Sequence, residues 1–161
     1  MGLVFKDGEY RYQAVKDIIE DDFSNEKDLC EFIESNIEEF CVEVLDVEYL
    51  SHIREFQLVK TGRNRLKGNR RIDFFIRSKC GKTIGIECKH PTYISELSNC
   101  VGQCLSYIAL FEAQGIILDR LVITSTRVDN ILPLVIHKFR LPIEYVAMDK
   151  TKHLKFLRYG G

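Results

Sequence analysis

Between residues 71 and 90 apolar and polar positions alternate with a period of two, the spacing of a strand rather than of a helix. RIDFFIR sets Ile72, Phe74 and Ile76 against Arg71, Asp73, Phe75 and Arg77, and TIGIECK sets Ile84, Ile86 and Cys88 against Thr83, Gly85, Glu87 and Lys89. Joined by SKCGK, the two runs predict a hairpin. Its apolar set faces the core and its polar set faces a cleft, narrowed by Phe75. On either side the period lengthens to that of a helix. Leu29, Phe32, Ile33, Ile37 and Phe40 form an apolar stripe on a helix capped by Ser24 and running to about Phe40, with its glutamates turned to water. Leu97, Val101, Cys104, Leu105, Ile108 and Phe111 form the core face of a second helix, which begins at Ser95 and which Gly115 ends.

Residues 41–58 are β-prone and read as one bent strand or two short ones. KTGRNRLKGNR, with two glycines and few apolar side chains, is a loop. RLVITS, residues 120–125, is a buried strand, a third helix lies around Val128–Phe139, and IEYVAM, residues 143–148, is a further strand. Helices interleaved with strands in this order predict an α/β fold with a mixed sheet and helices packed on it.

The 161 residues, 45% of them hydrophobic, are enough for one globular domain with a sizeable core, and no repeat or linker divides them. The opening MGLVFKDGEYRYQ is too polar for a signal peptide and no apolar run reaches membrane-spanning length, so the expectation is an intracellular, cytoplasmic protein. Six cysteines show neither a CxxC pair nor a zinc-like His spacing, and read as free buried thiols. A net charge of −1 gives no overall basic signature, so affinity for nucleic acid requires a local patch. One exists: thirteen acids and one base lie between Asp17 and Glu48, whereas Lys60, Arg63, Arg65, Lys67, Arg70 and Arg71 follow with no acid among them. This loop leads directly into the Asp73 strand, where its cations could neutralise phosphates.

The hairpin carries the chemistry. If SKCGK is a five-residue loop, Arg77 pairs with Thr83, and the same register sets Asp73 opposite Glu87. Cβ atoms so opposed are about 4.5–5.5 Å apart, and like charges there repel. Two carboxylates that close share either a proton or a cation. Hard oxygen donors suit Mg²⁺ or Mn²⁺, which keep waters and accept phosphate oxygens as remaining ligands. Lys89, on the same face, could orient and help deprotonate an attacking water and offset charge developing on a phosphate. The backbone carbonyl of Cys88, between the two side chains, could join the metal shell. His90 falls by parity on the Cys88 side and reads as structural.

RRIDFFIR, followed fourteen residues after its aspartate by the glutamate of IGIECK, resembles the PD-(D/E)XK nuclease superfamily, whose signature is an aspartate on one strand and Glu-x-Lys on the next. QCLSY, with Gln103 and Tyr107, is similar to the Gln-x-x-x-Tyr element of RecB-type members. RIDFFIRSKCGKTIGIECKH also resembles the nuclease domains of type I restriction motor subunits and small archaeal or viral relatives. The resemblance covers a restriction-endonuclease-like αβββαβ core over about residues 24–126. It implies that Asp73 and Glu87 are metal ligands, that Lys89 is the catalytic lysine, and that Gln103 and Tyr107 position substrate or support the site. Members often add a glutamate from the first helix; Glu26, a turn before Leu29 on the inward stripe, is the choice, and Glu31, on the solvated side, is the alternative. The family's proline before the aspartate is replaced by Ile72.

The expectation is thus a Mg²⁺- or Mn²⁺-dependent DNA endonuclease, with RNA left open as a substrate. Cutting both strands of a duplex with one site per chain would take a homodimer. The competing classes are a non-catalytic nucleic-acid-binding module and a protein-interaction domain using the acidic helix face.

Overall fold

The computed structural model describes residues 3–4, 23–58, 70–90, 95–126, 131–148 and 156–159. Its elements are β1 (Leu3–Val4), α1 (Glu26–Ser35), α2 (Ile37–Glu39), a π-helical turn (Phe40–Val44), β2 (Tyr49–Gln57), β3 (Arg71–Ser78), β4 (Thr83–Lys89), α3 (Ser95–Ala113), β5 (Arg120–Ser125), α4 (Ile131–Phe139), β6 (Glu144–Met148) and β7 (Phe156–Tyr159). The strands form one mixed sheet in the order β1-β7-β6-β5-β4-β3-β2. β2, β3 and β4 are antiparallel, β4, β5 and β6 parallel, and β7 runs antiparallel to β6 and parallel to β1. The architecture is the α/β arrangement the pattern predicts. β1 and β7 extend the sheet beyond the strands read from the sequence.

The first helix departs from expectation at both ends. Asn25, not Ser24, is the N-cap, its side chain accepting the Asp28 amide at 2.8 Å. At the other end Asn36 stops the helix: its Nδ2 donates to Phe32 O at 2.9 Å and its own amide to Ile33 O at 3.1 Å. The CVEV stretch, expected in a strand, is therefore helical. Phe40, Cys41, Val44 and Leu45 are all buried, a helical spacing that outweighs the β-propensity of two valines. Asp46, at φ 57, turns the chain toward β2.

The hairpin has the predicted register, with Arg77 opposite Thr83 and Phe74 opposite Ile86. Its two faces do not match the prediction. Phe74, Ile76, Ile84, Ile86 and Cys88 pack under α1 and the π-helical turn. The other face is not an open cleft, because α3 and α4 cover it and bury Phe75 with Tyr107, Phe111, Leu121 and Ile123. Ile72 belongs to this second core, so strict alternation fails at Asp73. On β2, Glu55 stands opposite that break at φ 49. A Cβ on Gly85 would lie 2.7 Å from Ile72 Cδ1, which accounts for glycine in a buried strand.

α3 ends as predicted: Gly115 adopts φ 75 and its amide bonds Glu112 O at 2.9 Å. Its buried stripe is rotated from the predicted one and runs through Leu97, Cys100, Cys104, Tyr107 and Phe111, whereas Leu105 is exposed. Away from these cores, Arg120 makes a two-pronged ion pair with Glu144 at 2.7 Å and also donates to Leu45 O. Among the described residues no helix is long and apolar enough to cross a membrane.

Candidate metal centre

Three elements converge at the end of the β3–β4 ladder. The described pairing stops at Phe74 and Ile86, and Asp73 and Glu87 are the next positions outward. α1 lies across this point and brings Glu26 from its first turn. One carboxylate oxygen from each of Glu26, Asp73 and Glu87 lies within 4.8 Å of the other two. Glu31 is elsewhere, exposed and 3.7 Å from Lys27, so of the two helical candidates Glu26 is the one that joins the cluster.

Glu87 occupies an unusual place for an acid. β4 lies between β3 and β5, with Glu87 beside Ile123, and the Glu87 side chain is only 5% exposed. Its Oε1 is 3.5 Å from Lys89 Nζ, and its Oε2 is buried with no hydrogen-bond partner. Asp73 Oδ2 accepts the Cys88 amide at 2.7 Å, so a side chain takes over where the backbone ladder ends. A residue's N–H and C=O leave a strand on the same edge. The Cys88 carbonyl is therefore also directed toward β3.

Burial holds all three carboxyls above their ordinary values. Burial, reinforced by Asp73, pushes the Glu87 carboxyl up to about 9, against the pull of Lys89. Burial also raises Asp73, despite its bond from the Cys88 amide and the nearby Lys89. Glu26 is raised by burial and by Asp73, with Lys89 again opposing. Burial would lower Lys89, but Glu87, Glu26 and Asp73 together raise it above the ordinary lysine value. Three crowded acids, one cation and an orphaned buried oxygen fit a hard divalent cation, which would be held by Glu26, Asp73 and Glu87.

A groove of about 570 Å³ is lined by Arg70 and Arg71 at the start of β3 and by Asn99, Gln103, Ser106 and Tyr107 of α3. Tyr107, expected to contact nucleic acid, is 1% exposed. Its hydroxyl donates to Arg71 O at 3.2 Å and accepts from Gln103 Nε2 at 2.5 Å. It fixes two groove residues from beneath because the α3 stripe turns its ring into the core. Gln103 is exposed at the groove rather than among the three carboxylates. Arg70 and Arg71 are exposed there too, Arg71 lying 3.6 Å from Glu55. Lys60, Arg63, Arg65 and Lys67 lie outside the described residues. His90 has the structural role its parity predicts, its Nε2 donating to Phe23 O at 2.7 Å just before α1.

Two features escaped sequence reasoning. Arg54 on β2 stacks over Phe74 at 4.7 Å, pairs with Glu34 at 3.3 Å and helps stabilise the ionised form of Asp73. Its signal was the period-two pattern of β2, which places Arg54 opposite Phe74, one position from Asp73. The second is a pair of thiols, Cys30 and Cys88, close to the Asp73 carboxylate. Cys30 is one helical turn from Glu26, but nothing in the cysteine spacing announces the pair.

No family model and no curated protein matches the sequence. Among solved structures, the chain is similar to the crystal structure of a repair endonuclease from Pyrococcus abyssi, at 16% identity and a TM-score of 0.45, covering 73% of this chain and 47% of that one. The present chain thus spans about half the length of that protein.

Proposed function

We propose that the protein is a Mg²⁺- or Mn²⁺-dependent DNA endonuclease of PD-(D/E)XK type that hydrolyses phosphodiester bonds. The observation that carries this reading is the buried Glu87, with one oxygen unpartnered, closed into a triad with Asp73 and Glu26 and flanked by Lys89. In a solvated salt-bridge cluster every acid would be exposed, whereas Glu87 is buried with its Oε2 unpartnered. A structural ion pair would also not crowd three acids around one lysine, since that costs desolvation without matching charge.

When bound, the metal would lower the pKa of its water and polarise a phosphoryl oxygen. Glu26, Asp73 and Glu87 would hold the ion, and the Cys88 amide fixes the Asp73 carboxylate in place. Lys89 Nζ, held by Glu87 at 3.5 Å, supplies a proton donor and a positive charge to a phosphate entering the cluster. Arg70, Arg71 and Gln103 line the groove along which the flanking backbone runs, with Tyr107 bracing Gln103 and Arg71. Lys60, Arg63, Arg65 and Lys67 extend this basic stretch along the chain. Cleavage of both strands of a duplex would use two copies.

The test is a panel of supercoiled, linear and single-stranded DNA and single-stranded RNA, each incubated with Mg²⁺, Mn²⁺ or EDTA. Metal-dependent cutting of at least one DNA form is the expected result. Binding without cutting in either metal would replace the enzyme with a non-catalytic nucleic-acid-binding module.

A further inference from the structure

Asp73 belongs to two clusters. Its carboxylate lies within 4.8 Å of carboxylate oxygens of Glu26 and Glu87, and within 4.8 Å of both the Cys30 and the Cys88 thiols. Cys30 is 3% and Cys88 0% exposed. The neighbouring strand adds a further polar group. Thr124 pairs in register with Cys88 on β5, and its hydroxyl is fully buried with no hydrogen-bond partner. Register neighbours turn their side chains to the same face of a sheet, so Thr124 and Cys88 share one face.

Two thiols and a carboxylate are a different donor set from three carboxylates. Thiolates select Zn²⁺ and similar soft ions, and Mg²⁺ does not compete for them. Zn–S bonds of about 2.3 Å place tetrahedral donors about 3.8 Å apart, a rotamer adjustment away from the spacing here. We propose that Cys30, Cys88 and Asp73 form a second metal site, selective for Zn²⁺ or Cd²⁺, whose occupant draws Asp73 away from the carboxylate centre. The ion releases the two thiol protons to solvent, with no change in oxidation state. Its fourth ligand is a water, which gives the Thr124 hydroxyl the partner it lacks. The two sites then bind their ions antagonistically, and the antagonism is reciprocal. The soft-metal site stands on its own geometry, whereas its inhibitory consequence rests on the endonuclease reading.

The experiment is a Cd²⁺ titration of the full chain, with Cys80, an exposed thiol, replaced by serine throughout, followed by the ultraviolet thiolate-to-Cd²⁺ charge-transfer band. Carboxylates give no such band. We expect saturation at one equivalent, loss of the band in Cys30→Ser and in Cys88→Ser, and its retention in Glu87→Gln and in Cys100→Ser. With Mn²⁺ as the hard ion, followed by its free-ion paramagnetic resonance signal, one equivalent of Cd²⁺ weakens Mn²⁺ binding by about tenfold or more, and not in Cys30→Ser. Absence of the band, its survival in both Cys30→Ser and Cys88→Ser, or its loss only in Cys100→Ser overturns the site. A band without antagonism overturns the sharing of Asp73. A band in a protein that binds no Mn²⁺ leaves the thiolate site standing and sinks the endonuclease reading instead.

Discussion

Asp73 Oδ2 accepts the backbone amide of Cys88 at 2.7 Å, tying β3 to β4 just past the last described pair of their ladder. The same carboxylate is one of three crowded acids, so it holds the hairpin together while adding to its repulsion. Substitution separates the two effects. Asp73→Asn keeps an acceptor for the Cys88 amide and removes a charge, and should be more stable than the wild type without metal. Asp73→Ala loses the bond as well, and should fall below Asp73→Asn by about 1–3 kcal/mol. Both should lose cleavage. Urea unfolding in EDTA measures the first pair of outcomes; equal stability of the two variants would remove the structural role given to Asp73.

Glu87 makes stability depend on pH in an unusual direction. Its folded value, about 9, lies above the unfolded carboxylate value of 4.5, so between these the folded chain retains a proton that the unfolded chain has released. Stability without metal should therefore fall as pH rises from about 5 through about 9. Glu87→Gln should flatten the profile and be the more stable protein at pH 8. Mn²⁺ should restore the wild type, with a larger effect at higher pH as the displaced proton becomes easier to lose. Thermal melts across pH, with EDTA or Mn²⁺, decide this; a wild type that gains stability toward pH 9 in EDTA would count against it.

Much of this was legible in the sequence because the hairpin obeys a simple period. The alternation in RIDFFIR and TIGIECK, with a five-residue turn, fixed the pairing of Arg77 with Thr83 and carried Asp73 and Glu87 to adjacent positions. Glu26 followed from its place one turn before Leu29. What the period could not show was that both faces of β4 are covered, since buried and half-buried strands differ in what packs on them rather than in alternation. Glu87 was read as facing a cleft and is instead nearly enclosed. Leu105 was placed on the core face for the same reason: on α3 the choice between Leu105 and Tyr107 as the inward residue depends on where the helix rests. The Cys30–Asp73–Cys88 contact joins residues far apart in the chain, and only tertiary packing reveals it.

Lys89 should matter for chemistry more than for metal binding. Lys89→Met should lower cleavage by about 10²–10⁴-fold while Mn²⁺ still binds. Single-turnover cleavage at saturating Mn²⁺, paired with a Mn²⁺ titration, distinguishes this from loss of the ion. A variant with unchanged single-turnover rate would remove Lys89 from the mechanism.

The groove predictions separate support from contact. Tyr107→Phe removes the bond to Arg71 O and should cost about 1 kcal/mol of stability. Arg70→Ala should leave stability unchanged and weaken DNA binding, reducing the salt dependence of the affinity by about one counterion. Affinity measured over a range of NaCl concentrations tests the second statement, and an unaltered slope would take Arg70 out of the interface.

The arginine distant from the site provides a control on the fold. Arg120 and Glu144 are a largely buried, two-pronged pair, and Arg120→Met leaves the Glu144 carboxylate without its partner. A loss of about 3–5 kcal/mol is expected, with Mn²⁺ binding intact wherever the variant is folded. Stability close to that of the wild type would show that Glu144 finds another partner.

The most direct test of the central claim is cleavage of supercoiled DNA by the wild type and by Glu87→Gln, in Mn²⁺ and in EDTA, with bound Mn²⁺ counted in the same preparations. A triad closed by the buried Glu87 that holds the catalytic ion predicts cutting by the wild type in Mn²⁺ alone, and a folded, more heat-stable Glu87→Gln that neither retains the ion nor cuts. Metal-dependent cutting by Glu87→Gln at the wild-type rate would contradict the assignment of Glu26, Asp73 and Glu87 as the active centre.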